Sequence, residues 1–138
     1  MAYATWLPVE AGTDVWDLIP EAGAALRALC ASLFDAGVDA ALLERCRARA
    51  ESLVTGRGGG DDDAVDDATA AALGFVEQYV LDPHGVTDAQ ALALHGFFSD
   101  EQLAALTTAV ATFDALARVG AVLGAASGTP ASIAVDPT

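Results

Sequence analysis

The sequence predicts an all-α protein, a bundle of about five helices. Apolar residues recur at spacings of three and four in several segments, which is the period of an amphipathic helix. Helix-capping residues stand at the boundaries of these segments, and no run of alternating apolar and polar residues indicates a strand. A chain of 138 residues suits one domain with a single core.

The predicted helical domain spans residues 17–125, between an N-terminal arm at 1–16 and a tail at 126–138. The tail contains Pro, Ser and Gly and is predicted to be loose. The arm lacks clear periodicity but contains Trp6 and Trp16, which are costly to leave in water. Two alternatives stay open for the arm: it packs on its own domain, or it crosses to a neighbouring subunit.

The first two helices are predicted from residues that favour helix ends. The first begins near Pro20, a common first-turn residue, and extends to Gly37, a common C-terminal cap. The second begins after Asp39 as N-cap and ends at Gly56. Because the connection between them is short, we expect an antiparallel hairpin.

Three further helices follow an acidic loop. The third is predicted from about Asp66 to Leu81, where Asp82-Pro83 ends it. The fourth and fifth begin at the capping boxes Thr87 to Gln90 and Ser99 to Gln102. The fifth has one apolar face, formed by Leu103, Leu106, Val110, Phe113, Ala117, Gly120 and Leu123.

Three motifs follow one another between residues 84 and 124. They are Val86-Thr87-Asp88, Phe98-Ser99-Asp100-Glu101, and Phe113-Asp114 with Arg118 and Leu123 behind it. In this order they resemble the C-terminal part of the carboxymuconolactone decarboxylase and alkylhydroperoxidase D-like superfamily. Residues 39–55 resemble that superfamily's E-L-x-x-L-R-x-A helix, with Glu44 and Arg49 in the expected positions and Cys46 and Glu51 as departures. The resemblance implies an alkylhydroperoxidase D-like helical bundle and an obligate oligomer.

The redox centre of the alkylhydroperoxidase branch has no counterpart in this sequence. The resemblance implies a C-x-x-C at the end of the second helix, with a nearby Glu and a following His. Its cysteine positions fall on Gly56 and Gly59, or on Arg57 and Gly60 after a shift of one. A peroxidatic site needs a low-pKa thiolate and a resolving thiol. Peroxidase activity is therefore not expected.

Composition excludes several partners. The chain has 6 Arg and no Lys against 20 acidic residues, and its net charge of −14 repels nucleic acids and anionic membranes. With no signal peptide and no apolar segment of roughly 18 residues, we expect no membrane association and a cytoplasmic location. In a reducing compartment Cys30 and Cys46, which lie on apolar helix faces, are predicted to be buried free thiols.

Glu77 and His84 are the candidate catalytic residues. Glu77 lies beside the apolar face of the third helix, where a carboxylate could transfer a proton; the alternative is a solvated helix residue. His84 lies in the loop after Pro83 and either meets a ligand or makes a local backbone bond. His95 lies at the end of the fourth helix, where a cation interacts favourably with the helix dipole, and is predicted to be structural.

The other charged residues favour structural roles. Glu44 is predicted to pair with Arg47 or Arg27, and Asp114 to form a partly buried ion pair with Arg118 that fixes helix packing. The acidic residues 61–63 lack the ligand spacing of a calcium loop, and no metal-binding spacing occurs elsewhere. We expect no metal and no cofactor.

Three functional hypotheses follow. The first is a redox-inactive family member that forms a homo-oligomer, or a hetero-oligomer with a related subunit. The second is a thiol-independent enzyme, decarboxylase-like or otherwise acid/base, that uses Glu77 or His84 on a small organic substrate. The third is a protein that binds a small molecule without turnover.

Overall fold

A computed structural model describes residues 15–56 and 65–123 of the chain. Within these two stretches it contains five α-helices and no strand, which confirms the predicted all-α bundle. The helices are α1 (Pro20–Phe34), α2 (Ala40–Thr55), α3 (Asp67–Leu81), α4 (Asp88–His95) and α5 (Asp100–Leu123). Two 3-10 turns accompany them, η1 (Val15–Leu18) before α1 and η2 (Pro83–Gly85) after α3.

The core lies between α2, α3 and α5. α5 packs along α2, while α3 packs chiefly against α2 and also contacts α4 and α5. The predicted apolar face of α5 supplies Leu106, Val110 and Phe113 to this core, all fully or almost fully buried. Each such side chain contributes about 1.5–3 kcal/mol by leaving water. The apolar residues spaced three and four apart on α5 therefore lie at the centre of the bundle.

Helix ends form where their capping residues predict them. The Asp39 carboxylate accepts a hydrogen bond from the Ala41 N–H at 3.1 Å, and Gly56 ends α2 in the left-handed conformation with φ of 68°. Thr87 and Gln90 exchange bonds of 3.0 and 3.2 Å ahead of α4. Ser99 and Gln102 do the same ahead of α5, at 2.9 and 3.2 Å. Both predicted capping boxes are confirmed.

The predicted α1–α2 hairpin is wrong. α1 ends at Phe34, and Gly37 lies in the following turn with φ of 87° rather than at the helix end. α1 then packs against α5 and η1, whereas α2 packs against α5 and α3. A short connection limits the distance between two helix ends but does not select the face that each helix buries. Here the apolar faces of α1 and α2 both pack against α5.

Trp16 packs on its own domain. Its half-buried side chain rests on a small second core formed by Cys30 and Leu116. Gly23 permits the approach, since a Cβ there would meet the Trp16 carbonyl oxygen at 2.5 Å. The Trp6 part of the predicted arm, the acidic residues 61–63 and the predicted tail lie outside the described residues.

α5 corrects one expectation drawn from the sequence. By length and composition α5 is a helix that could cross a bilayer. No segment of the sequence was expected to be apolar enough over that length to do so. Central helices of soluble proteins meet the same criterion, and α5 is the helix around which α1 and α2 pack. Of its most apolar 18 residues, 44% are buried inside the bundle.

Candidate functional site

Glu77 lies on the outer side of the α2–α3 contact. Its Oε1 accepts a hydrogen bond from Nη1 of Arg49 on α2, and the two side chains form an ion pair. The Glu77 side chain is 44% exposed, so solvent reaches the pair. The carboxylate is therefore neither enclosed in an apolar pocket nor a solitary solvated group. It joins two helices by a surface ion pair.

The neighbours of Glu77 on α3 explain why its partner comes from another helix. Side chains three or four residues away share a helix face, and for Glu77 these are Leu73, Gly74, Val80 and Leu81. None of them is charged. α2 packs against this side of α3 and brings Arg49 to the carboxylate.

His84 occupies the exposed turn η2. Its backbone N–H donates to Oδ1 of Asp82 at 3.2 Å, so Asp82 caps the turn. This is the local backbone bond that the sequence left as one alternative. The structure thus places Glu77 against Arg49 and His84 on an open surface, and does not bring the two candidates together in an enclosed cavity.

Cys30 and Cys46 are free and fully buried, as predicted. Cys46 lies in the main core, and burial raises the pKa of its thiol to about 12. Burial also raises the pKa of Cys30, which packs with Leu116 in the second core. Nucleophilic and redox chemistry requires the thiolate, and these surroundings favour the neutral thiol. Both cysteines are packing residues.

Arg47 joins two carboxylates on the surface of α2. Its Nε donates to Oε2 of Glu44 at 2.9 Å, and its Nη1 donates to Oε2 of Glu51 at 2.7 Å. These bonds, that with Glu44 foremost, raise the pKa of Arg47. The predicted Glu44–Arg47 pair is confirmed, whereas Arg27 pairs with Asp17 at 3.0 Å. The ion pair between Arg47 and Glu51 was not predicted from the sequence. The spacing of four residues between them is one at which ion pairs form on a helix.

Asp114 and Arg118 connect α5 to α3. Nε of Arg118 donates to Oδ1 of Asp114 at 2.9 Å, and the Asp114 side chain is only 17% exposed. A second guanidinium nitrogen donates to the Val80 carbonyl oxygen at 3.0 Å. A cation suits this position because the carbonyls of the last turn of α3 lack helical partners. The predicted partly buried pair that fixes helix packing is confirmed.

His95, which the sequence assigns a structural role, lies exposed at the C-terminal end of α4. Its Nδ1 lies 3.7 Å from Oδ1 of Asp100, beyond hydrogen-bond distance. Among residues 15–56 and 65–123, no group of three or more His, Cys, Asp and Glu side chains is placed to hold a metal ion. Of the two residues predicted for chemistry, Glu77 therefore lies in an ion pair and His84 in an exposed turn.

No protein-family model, curated protein or solved structure matches this chain significantly.

Proposed function

We propose that this protein is a redox-inactive member of the carboxymuconolactone decarboxylase and alkylhydroperoxidase D-like superfamily that acts as an assembly subunit. The resemblance of residues 39–55 and 84–124 supports the membership. Burial of both thiols supports the absence of redox chemistry, because neither Cys30 nor Cys46 is accessible to a peroxide or a dithiol donor.

The outer face of α1 is the observation that carries the assembly role. Ala22, Ala25, Leu29 and Ser32 follow one another at spacings of three and four, and all four are exposed. Leu18 and Ile19, which immediately precede the helix, are about half exposed. Within Pro20–Phe34, Glu21 is the single charged residue at an exposed position. The four residues themselves are uncharged in a chain that has a net charge of −14, and Glu21 lies at the N-terminal edge of the same face.

A face formed mainly by small, uncharged residues suits a helix–helix contact. Small side chains let two helix axes approach, and Leu29 supplies apolar area at the centre of the face. A surface with few charges also costs little to dehydrate. In a homo-oligomer the same face pairs with itself around a two-fold axis. In a hetero-oligomer the α1 face would pair instead with a matching helix of a related subunit.

Sedimentation velocity at micromolar concentration tests the assembly role. We expect the native chain to sediment as a species larger than its 13.9 kDa monomer. Leu29→Glu places a charge on the α1 face and should shift the distribution to monomer. Leu92→Glu on α4 is the matched control, since Leu92 is 71% exposed and α4 packs against α3 and α5. Far-ultraviolet circular dichroism of each variant verifies folding.

Two outcomes contradict the proposal. A native chain that stays monomeric on concentration, alone and with a related subunit, excludes an assembly role. Dissociation by Leu92→Glu but not by Leu29→Glu retains an assembly but places its interface on α4 instead of α1.

A peroxidase assay tests the redox-inactive part of the proposal. We expect no reduction of organic hydroperoxides coupled to a dithiol donor, because both thiols are buried and favour the neutral form. Turnover by the native chain that disappears in Cys46→Ser, with folding retained, would contradict this part. It would leave the assembly role unaffected.

The acid/base enzyme is less well supported by the geometry. Its two candidate groups are Glu77, which is paired with Arg49, and His84, which lies on an exposed turn. A general base needs a free carboxylate or imidazole within hydrogen-bond reach of a bound substrate. The enzyme hypothesis would be favoured by a catalysed reaction whose rate falls by about two orders of magnitude or more in Glu77→Gln and also in His84→Ala.

A further inference from the structure

We draw no further inference here: the strongest candidate, the exposed apolar side chains of Leu81, Leu92 and Phe97 around the end of α3 and α4, carries nothing because nothing in the structure shows what covers them.

Discussion

Cys46 couples the stability of the fold to alkaline pH. Burial raises the pKa of its thiol to about 12 in the folded chain, whereas the unfolded thiol titrates near its ordinary value of 9.0. Between these values the folded state binds more protons than the unfolded state, so stability falls as pH rises. We expect this thiol to lower the free energy of unfolding by up to about 1.4 kcal/mol per pH unit above pH 9. Urea unfolding at pH 8 and pH 10 measures the loss.

Cys46→Ala is the control for this pH dependence. The variant loses the titrating thiol, so its stability should depend less steeply on pH between 8 and 10, whatever its stability at pH 8. Comparison of slopes separates ionisation from the cost of the small cavity that the substitution leaves. An unchanged slope would assign the alkaline loss to other groups.

Glu77 and Arg49 form a pair whose contribution to stability should be small. Partly exposed ion pairs gain little Coulomb energy in a high dielectric, typically about 0.2–1 kcal/mol. Glu77→Gln should therefore lower the free energy of unfolding by less than about 1 kcal/mol. A double-mutant cycle with Arg49→Met measures the coupling between the two side chains. Coupling above about 3 kcal/mol would indicate a desolvated pair with a larger structural role.

Local spacing identifies some partners of charged residues but not others. Asp114 and Arg118 lie four residues apart on one helix, so the sequence alone predicts their pair. Arg49 and Glu77 are separated by 28 residues, and their meeting depends on which faces of α2 and α3 pack together. The second bond of Arg118, to the Val80 carbonyl, depends on tertiary packing in the same way.

At the scale of helices, the capping box of α5 makes a tertiary hydrogen bond, whereas the box of α4 makes none with the residues that the structure describes. Gln102 accepts from the Ser99 N–H and also donates from Nε2 to the Gly37 carbonyl oxygen at 3.0 Å. Ser99→Ala should lower the free energy of unfolding by about 1 kcal/mol, the usual value of an N-cap. Gln102→Ala should cost more, because it also releases the α1–α2 turn from α5. Chemical denaturation of both variants measures the difference.

The corresponding box of α4 supplies the comparison. Gln90→Ala removes the same reciprocal bond with Thr87, and among the described hydrogen bonds its side chain makes no tertiary one. If Gln90→Ala and Gln102→Ala prove equally destabilising, the bond to Gly37 contributes nothing measurable.

Helix positions were predictable because caps and apolar spacing are local, whereas helix pairing was not. Asp39, Gly56, Thr87 and Ser99 each act within four residues, and each helix begins or ends where they predict. The α1–α2 hairpin failed because both helices have a more extensive apolar partner in α5. The same limit applies to the candidate site. Glu77 was correctly placed on α3, but its environment was set by α2.

For the whole molecule, charge and apolar surface oppose each other in assembly. Each chain has a net charge of −14, so copies that approach through the α1 face repel one another at long range. Salt shortens the screening length from about 30 Å at 0.01 M to about 8 Å at 0.15 M. The apolar contact itself does not require attraction between charges.

We therefore expect the assembled fraction to rise between these two salt concentrations, as measured by sedimentation at constant protein concentration. Leu29→Glu should remain monomeric at both. Assembly that weakens as salt is added would mean that attractive charge pairs, rather than the α1 face, hold the subunits together.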